Sequence, residues 1–145
     1  MSRILAVVGA ILAASIIIAV IFFGFTSLNA LKMLPAVEKF VDAFYQHYNS
    51  QDYGFLYNVL ADQAFRDVTT GSTFTGIMGG LEQKLGAMVS RKKEQWHLTY
   101  SPDGVFFRIQ YKTTHAKGSA AERFILKNNK GKWSLYNYNI RSESL

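Results

Sequence analysis

The stretch ILAVVGAILAASIIIAVIFFGF, Ile4 to Phe25, runs for 22 residues without a charge or a proline. As an α-helix it would be about 33 Å long, which matches a bilayer hydrocarbon core of about 30 Å. Secretory signal peptides have shorter apolar regions, roughly 7–15 residues, followed by a small-x-small cleavage site. The one nearby candidate puts Leu28 and Ala30 at the critical positions, and leucine is a poor choice at the first. A retained membrane anchor is therefore expected. Ala6, Ala10 and Ala14 recur every four residues, with Gly9 and Ala13 beside them. Such a small-residue face allows close helix–helix contact in lipid.

Flanking charge sets the orientation only narrowly. Arg3 precedes the span, and Lys32 and Lys39 follow it, diluted by Glu38 and Asp42. The short N-terminal tail favours a signal anchor. The expected topology is single-pass, with the C-terminal domain outside the cytoplasm.

Residues 1–30 then form the tail and anchor, 31–35 a juxtamembrane connector, 36–142 a folded domain and 143–145 a tail. The domain is of a size for one small core. Aromatic residues make up 14% of the chain, including Tyr 8 and Phe 11, so that core can be built from large side chains. The chain has no cysteine, which excludes disulfides, thiolate nucleophiles and cysteine zinc sites. The net charge of +6 is spread along the chain, with one cluster, Arg91, Lys92 and Lys93.

Periodicity changes once. Pro35 suits the first turn of a helix, and Val37, Phe40, Val41, Phe44 and Tyr48 share one helical face. Asp52 can cap a second helix with Phe55, Leu56, Val59 and Leu60 on its apolar side. A third has Phe74, Ile77, Met78, Leu81, Leu85 and Met88 on one face, with Gly79 and Gly80 placed for close approach to a neighbour. From Glu94 the period becomes two. Trp96, Leu98 and Tyr100 alternate with polar residues, SPDG turns the chain, and strands follow over Val105–Thr114, AERFILK and KWSLYNYNI. The expected fold is α+β, with three helices packed on one face of a curved four-stranded antiparallel sheet. The last strand changes parity between Leu135 and Tyr136. Either both faces of the sheet are covered, the outer one by a partner, or a bulge shifts the register.

FVDAFYQHYNSQDYGFLYNVL, LGAMVSR, FRIQYKT, AERFIL and GKWSLYNYNI together resemble the nuclear-transport-factor-2-like cone. More narrowly, they resemble an uncharacterised bacterial family of that fold, often found in the envelope. The likeness covers about residues 36 to 142. It implies fold more than function, because such cones serve as enzymes, carriers and scaffolds.

No phosphate loop, nucleophile elbow or dinucleotide fingerprint is present, and no cofactor is expected. His47, His97 and His115 are far apart in the chain, and no metal site is expected from them. An enzyme resembling ketosteroid isomerase would need a carboxylate and an oxyanion hole in a dry pocket. Phe44, Tyr45, Tyr48, Trp96, Phe107 and Trp133 are the expected lining of any pocket between helices and sheet. No Asp or Glu reads as lying in the middle of a strand, and Glu122 reads as near a strand edge, so catalysis is not expected. Arg91, Lys92 and Lys93 could meet an anionic surface, against the plainer reading of a solvated connection. Nucleic acid is not expected, because most aromatics read as core.

The expected function is thus non-enzymatic: a single-span protein whose domain docks on other subunits of an envelope complex. The layout is similar to the single-span cone component of type IV secretion assemblies, without that family's Asn-Pro-x-Gly-type signature. Two alternatives stand beside it, a binder or isomerase of small molecules and an anchored immunity-type protein.

Overall fold

A computed structural model describes residues 28–145. No helix among them is long and apolar enough to cross a membrane. The expected span Ile4–Phe25, with its Ala6, Gly9, Ala10, Ala13 and Ala14 face, lies outside them.

Residues 28–49 form one helix, α1, which buries Ala30, Leu34, Val37, Phe40, Val41, Phe44, Tyr45 and Tyr48. The connector expected at 31–35 is instead helical. Pro35 removes one donor and frees the carbonyl of Leu31, but both residues lie on the exposed side, where water can take that bond. The apolar periodicity runs straight through them. After α1 the chain turns at Gln51, whose φ is 59°. Asp52 caps α2 (Tyr53–Phe55) as expected, accepting from the Phe55 amide. The turn widens into a π-helical stretch, Leu56–Leu60, where only Leu56 is buried. A helix not expected from the sequence, α3 (Gln63–Val68), follows with Asp62 as its cap. It buries no residue of its own, so it leaves no periodic signal. Four helices and a π turn therefore replace the three expected.

The last helix, α4 (Gly71–Leu85), is capped by Thr70 and buries Phe74, Met78, Leu81 and Leu85. Ile77 is 50% exposed, and Met88 belongs to the next strand. Gly79 and Gly80 do not mark a close approach: a side chain at Gly80 would meet nothing within 4 Å. The glycine that matters is Gly86, which ends the helix with φ 74°. There a Cβ would also sit 3.0 Å from that of Ala116.

The four strands, β1 (Met88–Ser101), β2 (Gly104–His115), β3 (Gly118–Asn129) and β4 (Lys132–Arg141), pair in chain order as an antiparallel meander. The β1 strand starts six residues before the expected Glu94, so Arg91, Lys92 and Lys93 lie within it rather than in a connection. The β3–β4 hairpin has positive φ at both Lys130 (53°) and Gly131 (89°), a geometry whose twist suits a tight hairpin. The parity change in the last strand is a bulge: Ile125 pairs with Asn137 but Leu126 with Leu135, leaving Tyr136 extra. Leu135 and Tyr138 thus both turn to the helices. The layout is the α+β cone anticipated from the sequence, with its core between the helices and one face of the sheet.

Candidate functional site

Alternation along β2 and β3 sorts their side chains between two faces. Tyr111, Thr113 and His115 point inward from β2, and Ala120, Glu122, Phe124 and Leu126 from β3. Glu122 therefore lies inside, fully buried, in the body of a strand and not at its edge. Four side chains donate to it. Thr113 Oγ1 (2.7 Å) and His115 Nε2 (2.7 Å) meet Oε1. The Tyr45 hydroxyl (2.9 Å) and the Tyr138 hydroxyl (2.6 Å) meet Oε2.

The other nitrogen of His115, Nδ1, faces the Gly86 carbonyl at 3.1 Å. Each ring nitrogen thus meets an acceptor, and only the imidazolium donates to both. Burial by itself pushes the His115 ring down, but the Glu122 carboxylate and the Gly86 carbonyl outweigh it and hold the ring above its ordinary value. Burial likewise pushes the Glu122 carboxyl up, and donation by His115, Tyr138, Thr113 and Tyr45 brings it below its ordinary value. Tyr45 and Tyr138 are held well above the usual phenol range, by burial first and then by the Glu122 charge. His115 is therefore buried and paired with a carboxylate.

These are residue types that could move a proton; Glu122 borders a small hollow of about 120 Å³, and aromatic side chains pack against the rest of the cluster. Phe44 packs edge-on against Phe124 (5.1 Å) and tilted against Tyr138 (5.2 Å). Tyr48 is buried, with its hydroxyl donating to the Gly86 carbonyl at 3.2 Å. Phe107 is buried and meets Trp133 edge-on at 6.1 Å. Trp96 departs from the lining expected of it. It lies in the outer strand, beside a bulge between Lys93 and Gln95, and is 41% exposed. No group of three or more metal-ligating side chains occurs among the described residues.

The basic cluster divides by parity. Arg91 and Lys93 fold onto α1, Arg91 pairing with Asp42 at 2.6 Å and Lys93 with Glu38 at 2.9 Å. The Arg91 guanidinium also lies 5.0 Å from the centre of the Tyr111 ring. Lys92 points the other way.

That opposite face is the second candidate. It carries cross-strand rows fixed by the register. Lys92, Lys112, Ala121 and Arg141 form one; Gln95, Gln110, Arg123 and Asn139 the next; His97, Arg108, Ile125 and Asn137 the third. A groove of about 560 Å³ is lined by Gln95, Trp96, His97, Arg108, Gln110 and Arg123. Arg141 and Asn139 continue it into a smaller hollow of about 120 Å³. No helix covers these rows among the described residues. Sequence reasoning noted the alternation but did not add up the charge on the outward parity.

Residues 41–138 match the family model described as "Protein of unknown function (DUF4019)". No curated protein matches the chain. Among solved structures it is similar to a provisionally assigned scytalone dehydratase from Novosphingobium aromaticivorans DSM 12444. The two share 11% identity and a TM-score of 0.48 over 77% of this chain and 85% of that one.

Proposed function

This chain belongs to the DUF4019 family of proteins of unknown function, and we propose that it is a non-catalytic binding module held at a membrane by Ile4–Phe25. In this reading the anchor lies in the bacterial inner membrane. The cone stands in the periplasm and docks on a neighbouring protein of an envelope complex through the uncovered face of its sheet. One observation carries the reading. The helix-facing side of the sheet is filled by Phe44, Phe107, Phe124 and Tyr138, while the opposite side presents a polar groove. Binding sites are concave and carry a few convergent polar groups, and here those features lie outside the core.

The test is site-specific photocrosslinking of the full chain in its own membrane. A photoactivatable residue at Gln110, in the groove, should yield a discrete protein adduct. The same residue at Gln46, exposed on α1, should not. Equal adducts from both positions, or none from either, would overturn the reading.

A second reading rests on Glu122. A buried carboxylate held by two tyrosine hydroxyls and a histidine has the residue types of an isomerase-like site. It requires the interior to open around Phe44 and Tyr138. The Glu122→Gln variant separates the two readings, since a binding module keeps its partner without that carboxylate.

A further inference from the structure

We propose that the outer sheet face binds an extended acidic segment of a partner protein, with carboxylates at alternate positions along its chain. This rests on the binding-module reading above and names the chemistry of its occupant.

Charge is the first argument. Lys92 lies directly opposite Lys112, and Arg108 stands two rows along on the same face. Arg123 stands in the row between, and Arg141 ends the row of Lys112. Like charges placed across neighbouring strands repel. None of Lys92, Arg108, Lys112, Arg123 or Arg141 forms an ion pair among the described residues, where the four pairs are His47–Asp52, Arg91–Asp42, Lys93–Glu38 and His115–Glu122. Two carboxylates lie near the groove: Glu94, which accepts from Gln110 at 3.4 Å, and Glu122, which borders the smaller hollow but is paired with His115. The Arg123 Nε is buried and has no hydrogen-bond partner among the described residues. The face holds positive charge that the described residues leave without an ion-pair partner.

Spacing is the second. Same-face residues on a strand recur at about 7 Å, so the three rows present cations at that interval along the strands. An extended peptide repeats its own same-side residues at the same interval. The amides of Gln95, Gln110, Asn137 and Asn139 can pair with its backbone. A single small anion would occupy one row, and a nucleic acid would want successive aromatic platforms, whereas Trp96 is the one aromatic in the groove lining.

Direction is the third. The outermost strand runs alongside α1: Asn49 meets Met88, Asp42 meets Arg91 and Glu38 meets Lys93. The face therefore extends along the helix rather than across its N-terminal end. A partner segment laid along the strands would run beside α1 and not across its start.

The experiment uses the full-length protein in phosphatidylcholine nanodiscs and a fluorescent 12-residue peptide of alternating Glu and Ser, at low salt. Binding should weaken roughly tenfold or more in Arg108→Glu/Arg123→Glu, fall partway in Arg108→Gln/Arg123→Gln, and stay unchanged in Lys39→Glu on α1. Single-stranded DNA and phosphatidylglycerol vesicles serve as competitors at matched negative charge, and both should compete less well than unlabelled peptide. No peptide binding, equal weakening by Lys39→Glu, or stronger competition by DNA or vesicles would overturn the proposal. The two readings fail differently. A Gln110 adduct that survives Arg108→Glu/Arg123→Glu removes the acidic segment and keeps the binding module. Absence of that adduct from the wild-type chain removes the module itself.

Discussion

His115 and Glu122 meet at 2.7 Å, Nε2 to Oε1, with both side chains out of contact with solvent. The other ring nitrogen is committed to the Gly86 carbonyl, so the pair is charged in the folded state. Its contribution to stability has a definite sign at each end of the pH scale. His115 is held above its ordinary value of 6.5, so its contribution is complete below that pH and is lost as pH rises through the raised value. Glu122 is held below its ordinary value of 4.5, so its contribution is complete above that pH and is lost as pH falls through the lowered value. The melting temperature of the full-length protein should be highest between those two pH values and decline on the alkaline side. In His115→Gln the alkaline decline should shrink markedly. A melting temperature that climbs steadily from pH 6.5 to 9 would contradict the pairing.

Removing Glu122 strands the His115 charge and three hydroxyl donors. Breaking a buried pair on one side costs about 3–5 kcal/mol, and Glu122→Ala should lower the urea stability by that order. Glu122→Gln keeps the shape and one acceptor oxygen, while the hydroxyls of Tyr45, Tyr138 and Thr113 can turn to accept from its amide. Its loss should be clearly smaller. Equal losses in the two variants would mean that the hydrogen-bond network does not hold the carboxylate as described.

Two tyrosines make an internal comparison. The Tyr138 hydroxyl donates to the carboxylate, whereas the Tyr111 hydroxyl is buried without a hydrogen-bond partner among the described residues. Burial pushes Tyr111 up to about 12, so it is neutral at working pH and loses no charge on substitution. Tyr138→Phe should cost about 1.5–3 kcal/mol, as for a bond to a charged group. Tyr111→Phe should be neutral or slightly stabilising, because it removes an unsatisfied hydroxyl. Denaturant midpoints decide the order, and a larger loss at Tyr111 would reverse it.

The absence of native cysteine makes topology directly measurable. A single Glu143→Cys substitution, in the exposed C-terminal tail, should react with a membrane-impermeant maleimide in intact spheroplasts. Labelling only after lysis would place the domain on the cytoplasmic side.

Most of the fold could be read from periodicity. The face of α1 from Val37 to Tyr48 and the alternation of β2 were plain, because apolar residues there repeat at the spacing of their elements. Charged residues on an inward parity were harder. Glu122 shares parity with Phe124 and Leu126, and His115 with Tyr111 and Thr113, so the pattern was available. A lone charge suggests solvent until its partner is known. Arg91 and Lys93 disguised the first six residues of β1 in the same way. Their partners, Glu38 and Asp42, lie one helical turn apart on α1, and that complementarity becomes visible only when helix and strand are brought side by side. The outer face is hidden in the sequence for the opposite reason. Arg108, Lys112, Arg123 and Arg141 are unremarkable singly, and only the register puts them together.

In the proposed function the Glu122 cluster holds the fold while the outer sheet face does the binding. The most direct measurement is the yield of the Gln110 photoadduct in a Glu122→Gln background, at a temperature where circular dichroism shows that variant folded. The yield should equal that of the wild type, and the melting temperature should be lower. A folded Glu122→Gln protein that no longer forms the adduct would contradict it.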